Sequence, residues 1–190
     1  MVHQLHLQAE QFEDRPALWT RREGAYVPTS WRDYARKVRH FALGLMELGF
    51  PPGSCLVIIG FNREEWVIAD VAAMAACGVP VGIYTTSSPE HIEYIAGHCE
   101  APIALVENDG YLEKLGSVRS RLPKLKEVIV MEAPTAPRPG VLSYEDVLRL
   151  GVEMVGEVMD AGVVSLMLQE PDGALVIQAA IGLEEWVVRE

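Results

Sequence analysis

Thr85-Thr86-Ser87-Ser88 places a row of hydroxyls between an apolar run, Val79–Tyr84, and a helical segment opened by Pro89. Hydroxyls beside the free N–H groups of a helix N-terminus suit a phosphate. A tight turn whose Ser88 caps the helix accounts for the same residues without a ligand, and is the plainer reading. Asn62 and Arg63 follow a second apolar run, Cys55–Ile59, at a strand end where open α/β sheets place ligands. Asn62 also suits a turn that caps the following helix. Glu64-Glu65 offers paired carboxylates, but in a helix's first turn the macrodipole explains them without acid–base chemistry. His3 and His6 are spaced to share a metal yet lack a third ligand nearby, while His91 and His98 lie too far apart for one ion. Cys55, Cys77 and Cys99 form no C-x-x-C pair. Two of them sit in apolar surroundings and read as small hydrophobes, and a disulfide framework is not expected, which suits a reducing compartment.

Positioning these residues takes a core, and 190 residues at 49% hydrophobic and 23% charged suffice for one domain with part of a second. The net charge of −11 argues against nucleic acid or an anionic membrane as partner. Arg32, Arg36, Lys37, Arg39 and His40 approach a basic patch and read as the solvated face of a helix. Met1–Glu10 does not resemble a secretory leader, and no apolar run reaches bilayer length, so a cytoplasmic location is expected.

Val2–Phe12 predicts a short amphipathic helix, and Ala17–Arg21 with Tyr26–Thr29 a hairpin around Glu23-Gly24. Ser30 and Asp33 resemble a capping box. From there Tyr34, Val38, Phe41, Ala42, Leu45, Met46 and Leu48 repeat at helical spacing until Gly49. Cys55–Ile59, Val79–Tyr84, Ile103–Val106 and Glu127–Met131 are short apolar strands separated by helical segments: Arg63–Cys77, Ser88–Cys99 and Asn108–Arg121. Gly78 is expected to give the first of these a left-handed C-cap, and Pro80 to begin a strand. Such short joints require parallel strands with crossover helices. Glu132–Gly140, rich in proline, is an exposed connector, and Ser143–Asp146 opens a further helix.

Residues 60–90, GFNREEWVIADVAAMAACGVPVGIYTTSSPE, resemble the N-terminal subdomain of AMP-forming long-chain acyl-CoA synthetases, part of the adenylate-forming superfamily. The likeness runs roughly from Phe12 to Leu150. Thr29–Tyr34 is similar to the first core motif of adenylation domains and Ala75–Val81 to the second; both motifs are structural. The resemblance implies ligation of a fatty acid to CoA at the expense of ATP, with magnesium, and places the loop of Thr85 and Thr86 near the nucleotide end of CoA. It also implies a phosphate loop, Thr-Ser-Gly-Thr-Thr-Gly-x-Pro-Lys-Gly, and a lysine from a small C-terminal domain. Neither has a counterpart in these 190 residues, so no catalytic residue and no metal ligand is assigned.

Beyond Leu150 the pattern changes. Val163–Leu168, Pro171-Asp172-Gly173 and Ala174–Ala180 predict a hairpin, followed by a break at Gly182 and a helix over Leu183–Glu190. From Val152 onward this resembles the opening of a GAF domain. The expectation is therefore an α/β chain, with a mainly parallel sheet covered by helices on both faces, plus a C-terminal β-hairpin and helix. It divides into a partial AMP-binding synthetase subdomain at 1–150 and a partial GAF-like segment at 151–190. The expected function is a truncated long-chain fatty acyl-CoA synthetase, inactive alone, binding no cofactor by itself; the alternative is a noncatalytic sensory or interaction protein. Fatty acid, ATP and CoA are partners by resemblance only, and an exposed C-terminal hairpin would favour self-association.

Overall fold

Every residue of Leu56–Ile59 is fully buried, the mark of a strand covered on both faces. The computed structural model describes residues 1–158, apart from 23 and 137, together with Val164–Gln169 and Leu175–Ile181. Helix α1 (Val2–Phe12) and an antiparallel hairpin, β1 (Pro16–Arg22) with β2 (Ala25–Ser30), precede α2 (Trp31–Glu47). Then come β3 (Cys55–Ile59), α3 (Glu64–Ala75), β4 (Val79–Ile83), α4 (Pro89–His98), β5 (Ile103–Val106) and α5 (Asp109–Gly116). β6 (Glu127–Val130), β7 (Val141–Ser143), α6 (Tyr144–Val158), β8 (Val164–Gln169) and β9 (Leu175–Ile181) complete the order.

β3 to β7 form one five-stranded sheet in the order β4-β3-β5-β6-β7, with every neighbouring pair parallel. The strands alternate between two cores with the period of a pleat. Leu56, Ile58, Ile103, Leu105 and Ile129 face one layer, packed with Phe41 and Leu45 of α2, Ile68 and Ala72 of α3, and Val147 and Leu148 of α6. Val57, Ile59, Ala104, Val106, Val128 and Val130 face the other, with Ile92 and Ala96 of α4 and Leu112 and Leu115 of α5. The expected fold class therefore holds: helices cover both faces of a parallel sheet. Pro80 sits on the edge strand β4, where a missing N–H disrupts no inner ladder.

The caps follow the sequence closely. Ser30 Oγ accepts the N–H of Asp33 at 3.0 Å, Ser88 Oγ accepts that of His91 at 3.3 Å, and Ser143 and Asp146 cap each other at the start of α6.

Several expectations are corrected. Gly78 is not in the left-handed region; Cys77 is, at φ 60°. The glycine serves close approach instead, since a Cβ there would stand 2.3 Å from the Phe50 ring. Asn62 does not cap α3: Arg63 is the N-cap residue, without a side-chain capping bond. The helix expected over Asn108–Arg121 is shorter. Asn108 caps α5, Gly116 ends it as Ser117 Oγ donates to Lys114 O at 2.7 Å, and a single 3₁₀ turn follows at Arg119–Arg121. β7 was not expected, because three residues carry too little pattern. Lys37 is not on a solvated face but buried.

β8 and β9 pair antiparallel, Val164 opposite Ile181 and Gln169 opposite Leu175. The expected turn Pro171–Gly173, the break at Gly182 and the helix Leu183–Glu190 lie outside the described residues. α6 runs through residue 150 without interruption, and Val152 is buried in the core of the sheet's α2 side.

Candidate functional site

β3 is followed by β4 on one flank and β5 on the other, so the strand order reverses between β3 and β5. In open α/β sheets that reversal opens a crevice at the strand C-termini, the usual ligand position. Here the crevice is occupied by the chain's own charges. Arg63 donates from Nε to Glu65 Oε2 at 2.8 Å and from Nη1 to Glu132 Oε1 at 2.7 Å, with Glu107 Oε1 at 3.9 Å. Glu107 in turn accepts the N–H of Phe61 at 2.6 Å. One guanidinium thus joins the segments after β3, β5 and β6. Arg63, a ligand-position residue by sequence, is a fastener in the structure. Replacing it by Ala is expected to cost about 2 kcal/mol, the scale of hydrogen bonds to charged groups, read as a lower urea midpoint with an unchanged slope.

The open concavity lies one strand over. A cleft of about 630 Å³ is lined by Gly60, Phe61 and Asn62 after β3, Trp66 of α3, and Gly82 to Thr85 at the end of β4. Phe61 and Tyr84 are exposed large aromatics on its rim. The two sequence-derived binding residues separate here: Thr85 lines the cleft, whereas Thr86 is exposed and outside the lining. The loop is held from below by Lys114 of α5, whose Nζ donates to Ser87 O at 3.1 Å and Thr85 O at 3.5 Å. Sequence reading missed Lys114, since nothing local ties it to a loop so far upstream. The lining offers aromatic surface, the Asn62 amide and the Thr85 hydroxyl, with no cation or carboxylate. A magnesium-bound triphosphate needs both, so these residues do not fit one.

A second polar cluster is closed rather than open. Glu64 Oε1 accepts Lys37 Nζ at 2.6 Å and Thr29 Oγ1 at 2.8 Å. Its Oε2 accepts Thr20 Oγ1 at 3.3 Å and faces Arg22 at 3.6 Å. Burial pushes the Glu64 carboxyl up, but Lys37, Thr29 and Arg22 outweigh it and hold the group below the usual range. Glu145, beside the same cluster, is shifted upward, chiefly by burial. Paired on every side, Glu64 is a structural anion linking the hairpin, α2 and α3, not a free acid or base. The first-turn role expected from sequence explains its position on α3 but not its burial.

The remaining candidates stay apart. His91 is exposed, and exposed His98 stacks on Tyr94 at 5.8 Å between ring centroids. His6 pairs with Glu10 at 3.3 Å. Among the described residues, no three of His, Cys, Asp and Glu gather into a metal-holding group, and no helix is long and apolar enough to cross a membrane.

A five-stranded parallel sheet with these flanking helices is the architecture of the N-terminal subdomain of adenylate-forming enzymes. It overlays the anthranilate CoA ligase AuaEII, in complex with anthranoyl-AMP, with a TM-score of 0.70 at 26% identity, over 78% of this chain and 27% of that one. Acetoacetyl-CoA synthetase from Streptomyces lividans shares the fold with a TM-score of 0.68, over 77% of this chain and 24% of that one, at 22% identity. Residues 5–161 match the model of the AMP-binding enzyme family, and the chain belongs to that family. It is 35% identical over 161 residues to the long-chain-fatty-acid–CoA ligase ACSBG1 of Bos taurus and equally to ACSBG2 of Xenopus laevis, covering 84% of this chain in each case. The chain spans 22% of the length of either relative.

Proposed function

We propose that this chain is the N-terminal subdomain of a long-chain fatty acyl-CoA ligase and performs no adenylation on its own. The observation that carries the reading is the pairing of a family match across most of the chain with an open cleft that offers no group for a magnesium-bound triphosphate. Fatty acid, ATP and CoA are then substrates of the assembled ligase, in a cytoplasmic setting. Thr85 and Thr86 belong to the loop that faces the nucleotide end of CoA in that assembly, a role supported by the place of Thr85 in the cleft wall. For the isolated chain, what the geometry supplies is a rigid platform. The Arg63 and Glu64 networks fix the strand ends, and exposed Phe61 and Tyr84 stand ready for cover. The test is fatty-acid-dependent ATP–pyrophosphate exchange, for which the chain alone is expected to give no signal.

The division into 1–150 and 151–190 belongs to the same proposal, with the family match running on to residue 161 and α6 crossing the boundary. A GAF-like role for the second part, with self-association through its hairpin, has in its favour only the antiparallel pairing of β8 with β9. It stands second for that reason.

A further inference from the structure

A trough in two connected parts runs between α1 and α2. One part, of about 350 Å³, has buried Leu5, Val38 and Ala42 at its base and Val2, Leu43 and exposed Met46 beside them. No aromatic ring lines it. The other part, of about 320 Å³, is charged, with Glu10, Glu13, Arg32 and Arg36 in its lining. His6, Ala35 and Arg39 line both parts, so the trough passes from apolar to ionic along one pair of helices. The carboxylates at the ionic end already have partners: Glu10 faces His6 at 3.3 Å, Glu13 and Asp14 face Arg32 at 3.3 and 3.4 Å, and Asp33 faces Arg36 at 2.6 Å. Arg39, exposed at the junction, forms no ion pair among the described residues. Arg36 Nε is buried and has no hydrogen-bond partner. Burial, with the charges of Arg36 and Arg39, pushes the neighbouring His40 imidazole down to about 4, so the guanidinium groups are the cations here at neutral pH.

We propose that this trough binds a free single-chain aliphatic carboxylate, with the alkyl chain between α1 and α2 and the carboxylate on Arg39. A narrow trough based on aliphatic side chains suits an unbranched chain, and its volume falls at the lower end of small-molecule sites, roughly 300–1,000 Å³. From Arg39 to Met46 helix α2 rises roughly 10 Å, room for a chain of medium length. The head group follows from charge. A guanidinium without a partner presents a planar fork that matches a carboxylate, and the unpaired Arg36 Nε adds a donor in the same part of the trough. A single negative charge fits one unpaired cation, whereas Glu10 and Glu13 beside it repel a phosphate of higher charge. The basic run Arg32–His40 thus has a use beyond solvation: it gives the ionic end of an otherwise apolar trough. No residue of the trough lines the cleft at β3 and β4, so this site stands apart from the proposed function.

The experiment titrates the whole chain with monomeric decanoate, octanoate and decan-1-ol by calorimetry, and maps the decanoate site by amide chemical shifts. Decanoate is expected to bind more tightly than octanoate, by up to about fourfold for each methylene that is fully buried, and more tightly than the alcohol. The shifted amides should lie in α1 and α2. Arg39→Gln, at an exposed and unpaired position, should keep the native melting temperature, weaken decanoate roughly tenfold or more and leave decan-1-ol unchanged. Leu43→Gln should weaken both. Equal affinity for acid and alcohol would overturn the proposal, as would an Arg39→Gln variant that binds decanoate like the native chain. Shifts confined to Phe61, Trp66 and Tyr84 would overturn it in favour of the cleft. Binding to phosphatidylglycerol vesicles without binding to free decanoate would overturn it in favour of a membrane patch.

Discussion

Replacing Lys37 by Met lowers the unfolding free energy by about 3–5 kcal/mol, the cost of leaving one partner of a buried ion pair uncompensated. Lys37 and Glu64 face each other at 2.6 Å with side chains only 9% and 3% exposed, so neither charge can turn to water. Two hydroxyls and Arg22 remain near Glu64 in the variant, but Arg22 stands at 3.6 Å and is half in solvent. The pH dependence separates this mechanism from simple loss of packing. In the native chain the folded Glu64 carboxyl lies below its ordinary value of 4.5. Its stabilisation is therefore complete above that value and is lost as pH falls through the folded one. Without Lys37, burial dominates and the carboxyl moves above its ordinary value, so that acidification towards it relieves the strain. Glu145, already shifted upward by burial, works in that second sense in both proteins. Urea unfolding at neutral pH and near pH 5 checks the claim: the deficit of Lys37→Met should shrink at the lower pH. The double variant Lys37→Met with Glu64→Leu should recover most of the loss. A single variant within 1 kcal/mol of the native chain would contradict a desolvated pair.

Gly151→Ala should be nearly as damaging, through crowding rather than charge. Where α2 crosses α6, a Cβ on Gly151 would come within 1.9 Å of the His40 carbonyl oxygen, and one on Gly44 within 2.1 Å of the Val147 carbonyl oxygen. Both obstacles are helix backbone, which no rotamer change removes. The two helices must part, at the cost of the stacked Phe41–Tyr144 pair, whose ring centroids are 4.9 Å apart, and of buried Val147 and Leu148. Overpacking of this kind costs roughly 1–3 kcal/mol and occasionally more. Thermal unfolding of Gly151→Ala and Gly44→Ala measures it. Both should melt well below the native chain, and a native-like melt for either would mean that the crossing is looser than its backbone distances indicate.

The core strands are legible in the sequence because each is a short apolar run between turn residues. Cys55–Ile59 and Ile103–Val106 have the bounds their composition suggests. The helix caps at Ser30, Ser88 and Ser143 are legible for the same local reason. What escapes is long-range. Lys37 occupies the helical spacing shared by Tyr34, Val38 and Phe41, a visible sign that it faces the core, but its partner Glu64 is supplied only by the fold. Gly151 stands likewise among Val147, Leu148 and Val152 on one helix face, where a glycine signals a close neighbour that sequence cannot name. At the candidate site, the sequence locates the right ends of the right strands but not their state. Arg63 closes the crevice between β3 and β5 through Glu107 and Glu132, and the open cleft is displaced to the β3–β4 side. Thr85 shares that cleft while its neighbour Thr86 does not, a distinction set by the turn and by Lys114 beneath it.

The most direct test of the central claim is ATP–pyrophosphate exchange by the purified chain, with fatty acids of several chain lengths, with and without magnesium. A subdomain whose open cleft carries no cation or carboxylate predicts no fatty-acid-dependent exchange under any of these conditions. Exchange that requires both the fatty acid and magnesium would contradict the account, because it would demand a triphosphate site within these residues that the cleft and the Arg63 crevice do not provide.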